Sequence, residues 1–292
     1  MTGLRSPNRP AVAIIGVNYG TDDMAVRFAR SAAGLQHGGE LTTIVVDNTE
    51  EGGRDSLHAG LRRVNQGLCY IQAPRNLGYF GGAALGLGQF VAQHGWPEWV
   101  IVSNVDIEFR DADLVQRLAS GPWPAGVGVV APSIWSSKSL RDLNPRLTRR
   151  PRAATMRFYK AVFANVYTLN TYETLAAAKH VLKYTLKKVA SAARAPAPTE
   201  ARRERIYAPQ GSCIVFAREY FDRGGTLDYP QFLFGEEIYV AETARALGLQ
   251  VIYEPSLRTW HDDHASTGLI RSRRVARHVA DSARFIADRY FA

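Results

Sequence analysis

The chain is built from short apolar runs, most followed by a stretch of helical spacing. "AVAIIGVNY" (11–19), "ELTTIVVDNT" (40–49), "LCYIQAP" (68–74), "EWVIVSNVD" (98–106) and "GVGVVAPSIW" (126–135) are of this kind. Runs without polar alternation read as strands covered on both faces. Between them, "DDMAVRFARSAAGL" (22–35) carries acids in its first turn and Gly34 near its end, as a helix does. "NLGYFGGAALGLGQFVAQHG" (76–95) reads as a Gly-rich loop running into a helix, and "DADLVQRLAS" (111–120) as another helix. Strands alternating with helices require crossover connections. The sequence therefore predicts an α/β fold with a mostly parallel central sheet flanked by helices. Ligands of such sheets bind beyond the carboxyl ends of the strands, where Asp47, Asn76 and Asp106 fall.

After residue 138 the pattern changes. Residues 138–205 hold 16 Lys and Arg against four acids, a net +12, so the rest of the +9 chain carries 9 − 12 = −3. This segment reads as helical. Its clearest helix is "TYETLAAAKHVLKYTLKKVASAAR" (171–194), where Lys179, Lys183 and Lys187 form a cationic stripe. A Pro/Ala linker follows (194–200), then a strand (211–219), an amphipathic helix (236–248), a strand (249–255) and a final helix (273–291).

Composition narrows the class. A chain of 292 residues with 46% apolar and 22% charged residues builds a sizeable core and is not disordered. Its two cysteines, Cys69 and Cys213, make no disulfide framework or zinc cluster, and a reducing compartment is expected. The first ten residues lack a signal-peptide core, and no run of about 18 apolar residues exists to span a membrane.

Four stretches carry candidate chemistry, each with a structural reading beside the functional one. The loop "NLGYFGG" (76–82) offers glycines for close backbone approach and a helix start for an anion, or is simply a tight strand–helix turn. Asp106 in "NVDIEF" suits a hard divalent cation on a diphosphate, or makes an Asx turn or cap, although Asp111 and Asp113 are better placed to cap. Glu236 and Glu237 open a helix, favourable for its dipole alone, or supply a general base. His261, just after a strand in "RTWHDDHAST", is a metal ligand or a structural imidazole.

Together and in order, "IIGVNYG", "IVVDNTEEGG", "NLGYFGGAALGL", "VSNVDIEF", "GSCIVFAREYF", "FLFGEEIYVAETARALGLQVIYEPSLRTWH" and "HAST" resemble the family 2 glycosyltransferases of the GT-A fold. The subgroup is the bacterial rhamnosyltransferase-like enzymes of cell-surface polysaccharide synthesis. The resemblance spans about residues 11–135 and 207–267. It implies a single GT-A domain over 1–292. Within it, 11–135 forms the nucleotide-sugar-binding half, 138–205 a basic helical insertion, 207–267 the acceptor and catalytic half, and 268–292 a C-terminal helix. It assigns Asp47 to the donor nucleoside, and Asn48, Asn76 and Gly78 to the donor pocket. "NVD" stands for the family's DxD element, with Asn104 at the first acidic position. Asp106 and His261 become ligands of Mg²⁺ or Mn²⁺, and Glu237, with Glu236 as the alternative, the base. Two departures are Glu for Asp at 237 and Tyr239 where the family often repeats an acid.

The implied reaction is an inverting displacement from a nucleotide-diphosphate sugar, rhamnose or another hexose, to a glycan or lipid-linked acceptor. The cationic segment 138–205 suits an anionic membrane surface, giving a cytoplasmic protein held at the inner face of the cytoplasmic membrane. No nucleic-acid motif accompanies the charge. Competing readings are a nucleotide-sugar-binding protein with impaired catalysis, a membrane-surface adaptor, and a nucleotidyltransferase. The last lacks a basic residue in "GVNYGTDD".

Overall fold

The computed structural model describes residues 12–37, 40–50, 54–176, 202–262 and 272–292. The first eleven residues, most of the expected helix over 171–194 with its lysine stripe, the Pro/Ala linker and "HAST" lie outside these. The chain divides into two compact units. The first takes Met1–Arg150, Arg203–Phe232 and Glu236–Ala265, and the second Pro151–Arg202, Leu233–Gly235 and Ser266–Ala292.

The first unit holds a ten-stranded sheet. Its strands are β1 (Val12–Asn18), β2 (Leu41–Asp47), β3 (Cys69–Gln72), β4 (Trp99–Asn104), β5 (Ile107–Glu108), β6 (Val127–Ser136), β7 (Arg141–Asp142), β8 (Glu204–Ile206), β9 (Cys213–Ala217) and β10 (Gln250–His261). The order is β3-β2-β1-β4-β9-β6-β10-β5, with β7 on β6 and β8 on β10. β3, β2, β1, β4, β6 and β10 all run one way, because β9 pairs antiparallel with both β4 and β6. β9 is buried at all five positions, as a strand in the middle of a covered sheet must be.

The sheet unit's helices are α1 (Asp22–Ala33), α2 (Arg54–Val64), α3 (Gly78–His94) and α4 (Leu114–Ser120). The second unit contributes α5 (Ala153–Phe163), and the sheet unit adds α6 (Arg218–Asp222) and α7 (Glu236–Ala246). Phe28 of α1 is fully buried against Gly16 of β1, where a Cβ would come within 2.4 Å of its ring. Phe28→Ala would leave a cavity costing about 3–5 kcal/mol. α3 packs through glycines: a Cβ on Gly86 would stand 2.9 Å from Val46 and 3.0 Å from Ile15. The helix therefore approaches β1 and β2 closely, and its N-terminus reaches the carboxyl ends of those strands.

The structure corrects several local expectations. The helix expected from 111 begins at Leu114, and Asp113 at its cap position bonds Arg117 (2.8 Å) instead of its own amides. Asp111 pairs with Arg258 and Arg117. The strand expected over 211–219 ends at Ala217 and turns directly into α6. β10 runs on past the expected 249–255, so His261 is its last residue and not a loop residue. α2 is a helix beyond those expected, with Leu57 and Leu61 buried four residues apart.

In the second unit α5 packs on α8 (Arg273–Tyr290), with a Lys160–Asp288 ion pair at 2.5 Å. Residues 166–176 are helical. Tyr159 stacks on Phe163 with ring centroids 5.2 Å apart, and Tyr172 meets both rings edge-on. Phe158, Tyr167 and Leu175 are exposed. Among the described residues no helix is long and apolar enough to cross a membrane. Of the basic segment, 138–150 and 203–205 belong to the sheet unit.

Candidate active site

Three parallel strand ends form one wall of a crevice. The register aligns Asn18 with Asp47 and Val17 with Asn104, so Asp47 and the turn after Asn104 lie two strands apart, roughly 10 Å. Asn76 follows β3 on the next strand over.

At the β2 end the polar groups are closed on one another. Asp47 is 2% exposed. Its Oδ1 accepts from Asn18 Nδ2 (3.1 Å), Thr49 N (3.0 Å) and Thr49 Oγ1 (2.6 Å), and its Oδ2 from Tyr70 OH (3.2 Å). Asn48 donates to the Gly78 carbonyl at 2.8 Å, tying β2 to the start of α3. Asn76 Oδ1 accepts from Gly78 N at 3.0 Å. The expected free amide at this helix start is thus already taken by the Asn76 side chain. Gly78 sits at φ +75°, and a Cβ there would fall 2.0 Å from the Phe232 carbonyl oxygen, so only glycine fits.

At the β4 end the groups are left open. The antiparallel pairing of β5 on β10 sets His261 opposite Ile107, next to Asp106. His261 Nε2 lies 3.1 Å from Asp106 Oδ2, although 155 residues separate them in sequence. Asp106 Oδ1 is buried and has no hydrogen-bond partner among the described residues. Ser212 Oγ and Tyr79 OH share that condition. Asn104 N donates to the Ser212 carbonyl at 3.0 Å, which brings Ser212 against the same turn. Burial pushes the Tyr79 phenol well above the usual tyrosine range, and the neighbouring Cys213, Glu236, Asp106 and Glu237 push it the same way. The fields of these carboxylates therefore converge on Tyr79. The large majority of buried side-chain polar atoms are paired, so three orphans around one crevice make it the candidate binding site.

α7 brings the remaining acids. Glu236 is buried, and the half-buried Glu237 lies over Gly211, with its Oε1 3.2 Å from where a Cβ there would stand. Tyr239, at the position of the missing second acid, has its hydroxyl 3.0 Å from Thr226 Oγ1. Glu108 points away from the crevice, to Arg110 (2.9 Å) and Arg27 (3.9 Å).

Among the described residues no three acids, imidazoles or thiols form a complete cation cage. Asp106 and His261 stand side by side, with one carboxylate oxygen still unpaired. That donor set fits a hard cation that keeps waters and takes further oxygens from a phosphate-bearing substrate. Tyr79, Ser212 and Gly211 were not foreseen. Tyr79 had a weak signal, as the residue after an obligatory glycine in "NLGYFGG"; Gly211 and Ser212 open the motif "GSCIVFAREYF", which gave neither a role.

No family model matches the chain. It is 23% identical, over 95% of its own length and 84% of the relative's, to N-acetylglucosaminyl-diphospho-decaprenol L-rhamnosyltransferase of Mycobacterium tuberculosis. Among solved structures it resembles a mannosyltransferase from Pyrobaculum calidifontis in complex with GDP-Man and Mn²⁺, with a TM-score of 0.54 at 16% identity, covering 98% of this chain and 70% of that one. It also resembles residues 1–349 of S. aureus TarS, with a TM-score of 0.50 at 10% identity, covering 87% of this chain and 60% of that one. The structural likenesses give the fold, and the sequence relative agrees with it: the chain is a glycosyltransferase of the GT-A fold.

Proposed function

We propose that the protein transfers rhamnose or another hexose, with inversion, from a nucleotide-diphosphate donor to a lipid-diphosphate-linked or growing glycan of the cell envelope. The observation that carries this reading is the cluster of orphaned buried atoms, Asp106 Oδ1, Tyr79 OH and Ser212 Oγ, at the carboxyl end of β4. The relative's name supports the acceptor class, since that enzyme acts on a sugar diphosphate-linked to decaprenol.

Asp106 and His261 would hold the divalent cation. Once bound, a cation there neutralises charge building on the departing nucleotide diphosphate. Glu237 takes the proton from the attacking acceptor hydroxyl, with buried Glu236 beside it. Tyr79 OH and Ser212 Oγ donate hydrogen bonds to donor oxygens, where fixed donors in a dry site act most strongly. Asp47, Asn48, Asn76, Gly78 and Asn104 shape the donor side; Asp47 does so by holding Asn18, Thr49 and Tyr70 in place at the β2 end. The exposed Phe158, Tyr167 and Leu175 of the second unit lie in sequence within the basic segment 138–205, and together these favour an anionic membrane surface.

The test is a thermal-shift screen of UDP-, dTDP- and GDP-sugars with Mn²⁺ or Mg²⁺. One donor is expected to stabilise the protein by about 2.7 kcal/mol at a hundredfold excess over Kd, and only with the cation. Glu237→Gln should keep that shift while turnover falls about 10²–10⁴-fold. Stabilisation by none of the three donors overturns the reading.

A further inference from the structure

A second concave site lies in the sheet unit, away from the strand-end crevice. It has a volume of about 270 Å³ and is lined by Thr148, Arg149, Arg150, Arg205, Tyr207 and Arg245 over an apolar floor. Four arginines line it. One acid lies close by: Glu242, whose side chain is 1% exposed and accepts from Arg150 (2.7 Å), Tyr207 OH (2.7 Å) and Arg245 (2.9 Å). Burial alone would raise the Glu242 pKa, but these three donors overcome it and hold the carboxyl below its usual range. Glu242 is therefore an anion that fixes Arg150 and Arg245 in place. Arg149 and Arg205 have no carboxylate partner among the described residues. The pocket with Glu242 carries 4 − 1 = +3.

We propose that this pocket binds a diphosphate, the one carried by the acceptor. Its volume of about 270 Å³ suits a small anionic group. Guanidinium forks match phosphate oxygens two at a time, and a doubly charged group answers the net charge. Two elements run from the pocket to the catalytic end. α7 carries Ala241 and Arg245 in the pocket wall and Glu237 four and eight residues earlier, about 6–12 Å along its axis. The segment from Tyr207 to Gly211 ends under the Glu237 carboxylate and spans at most about 14 Å. A diphosphate held here would place the hydroxyl of the sugar attached to it within reach of Glu237. This assignment rests on the glycosyltransferase reading for its biological sense, but its binding chemistry stands alone.

The test titrates inorganic diphosphate into the full chain by calorimetry with EDTA present, so that no cation assists at Asp106. Wild type and Asp106→Ala are expected to bind equally. Arg149→Ala/Arg205→Ala is expected to bind at least tenfold more weakly, and Arg149→Lys/Arg205→Lys to recover part of that loss. Neither arginine neutralises a buried acid, so the double variant should keep the wild-type melting temperature. Farnesyl diphosphate in detergent separates two sources of the group: tighter binding than inorganic diphosphate indicates a lipid-linked ligand, and equal binding a free one. Diphosphate binding that is unchanged by the alanine pair, or lost with Asp106→Ala, overturns the proposal. So does loss of binding to phosphatidylglycerol vesicles in the alanine pair without loss of diphosphate binding, which would make these arginines a membrane patch. Donor binding with Mn²⁺ is scored separately, so either reading can fail while the other holds.

Discussion

Asp47 and Asp106 are alike in sequence. Each follows an apolar run, each closes a parallel strand or the turn after one, and the two strand ends lie two places apart in one sheet. Their surroundings are opposite. Asp47 takes four hydrogen bonds from its own fold, whereas Asp106 has one oxygen facing His261 and the other buried without a partner. A buried carboxylate with its donors supplied holds structure together. One left short is a standing cost of about 1–3 kcal/mol that a ligand removes. Under the proposed function, the β2 end is the frame of the crevice and the β4 end its working part.

Four substitutions sharpen or break that contrast. The largest effect is expected from Asp106→Asn: turnover falls about 10²–10³-fold, and the cation-dependent donor shift disappears, while the melting temperature stays within about 2 °C of wild type. Asp47→Ala should do the reverse. It strands several buried donors and costs about 3 kcal/mol, a drop of roughly 6–12 °C in a thermal melt. If Asp106→Asn melts as early as Asp47→Ala, the two carboxylates do not differ in the way described. Gly78→Ala forces a side chain into a left-handed conformation and against the Phe232 carbonyl, and should cost about 2–3 kcal/mol by denaturant titration. The smallest effect belongs to Gly211→Ala. The added methyl would sit 3.2 Å from the Glu237 carboxylate, so kcat should fall less than about tenfold with no change in donor affinity. A change in donor binding with kcat intact would move Glu237 out of the base role.

The main strands and most helices were readable because burial on both faces leaves unbroken apolar runs, and a helix leaves a 3.6-residue period. Short elements were not readable. β5 has two residues and β8 three, too few for any period, and they exist through their pairing with β10. The continuation of β10 to His261 was hidden because Glu254, Arg258 and Thr259 break the apolar pattern. Glu254 is buried and paired with Arg203, and Thr259 with the Ser133 carbonyl at 3.2 Å. Partners distant in sequence therefore satisfy what local reading takes as loop polarity.

The sequence by itself determined the α/β alternation, the placement of Asp47 and Asp106 at strand ends, and the need for glycine near residue 78, because each follows from local periodicity and backbone sterics. Only the tertiary structure decided which carboxylate is closed and which is open, and that β9 enters antiparallel between β4 and β6. It alone set His261 beside Asp106 and gathered Arg149, Arg150, Arg205 and Arg245 around one cavity. These are matters of long-range pairing and of where buried hydrogen bonds go, and a chain carries no local mark of the partner that a distant segment will supply.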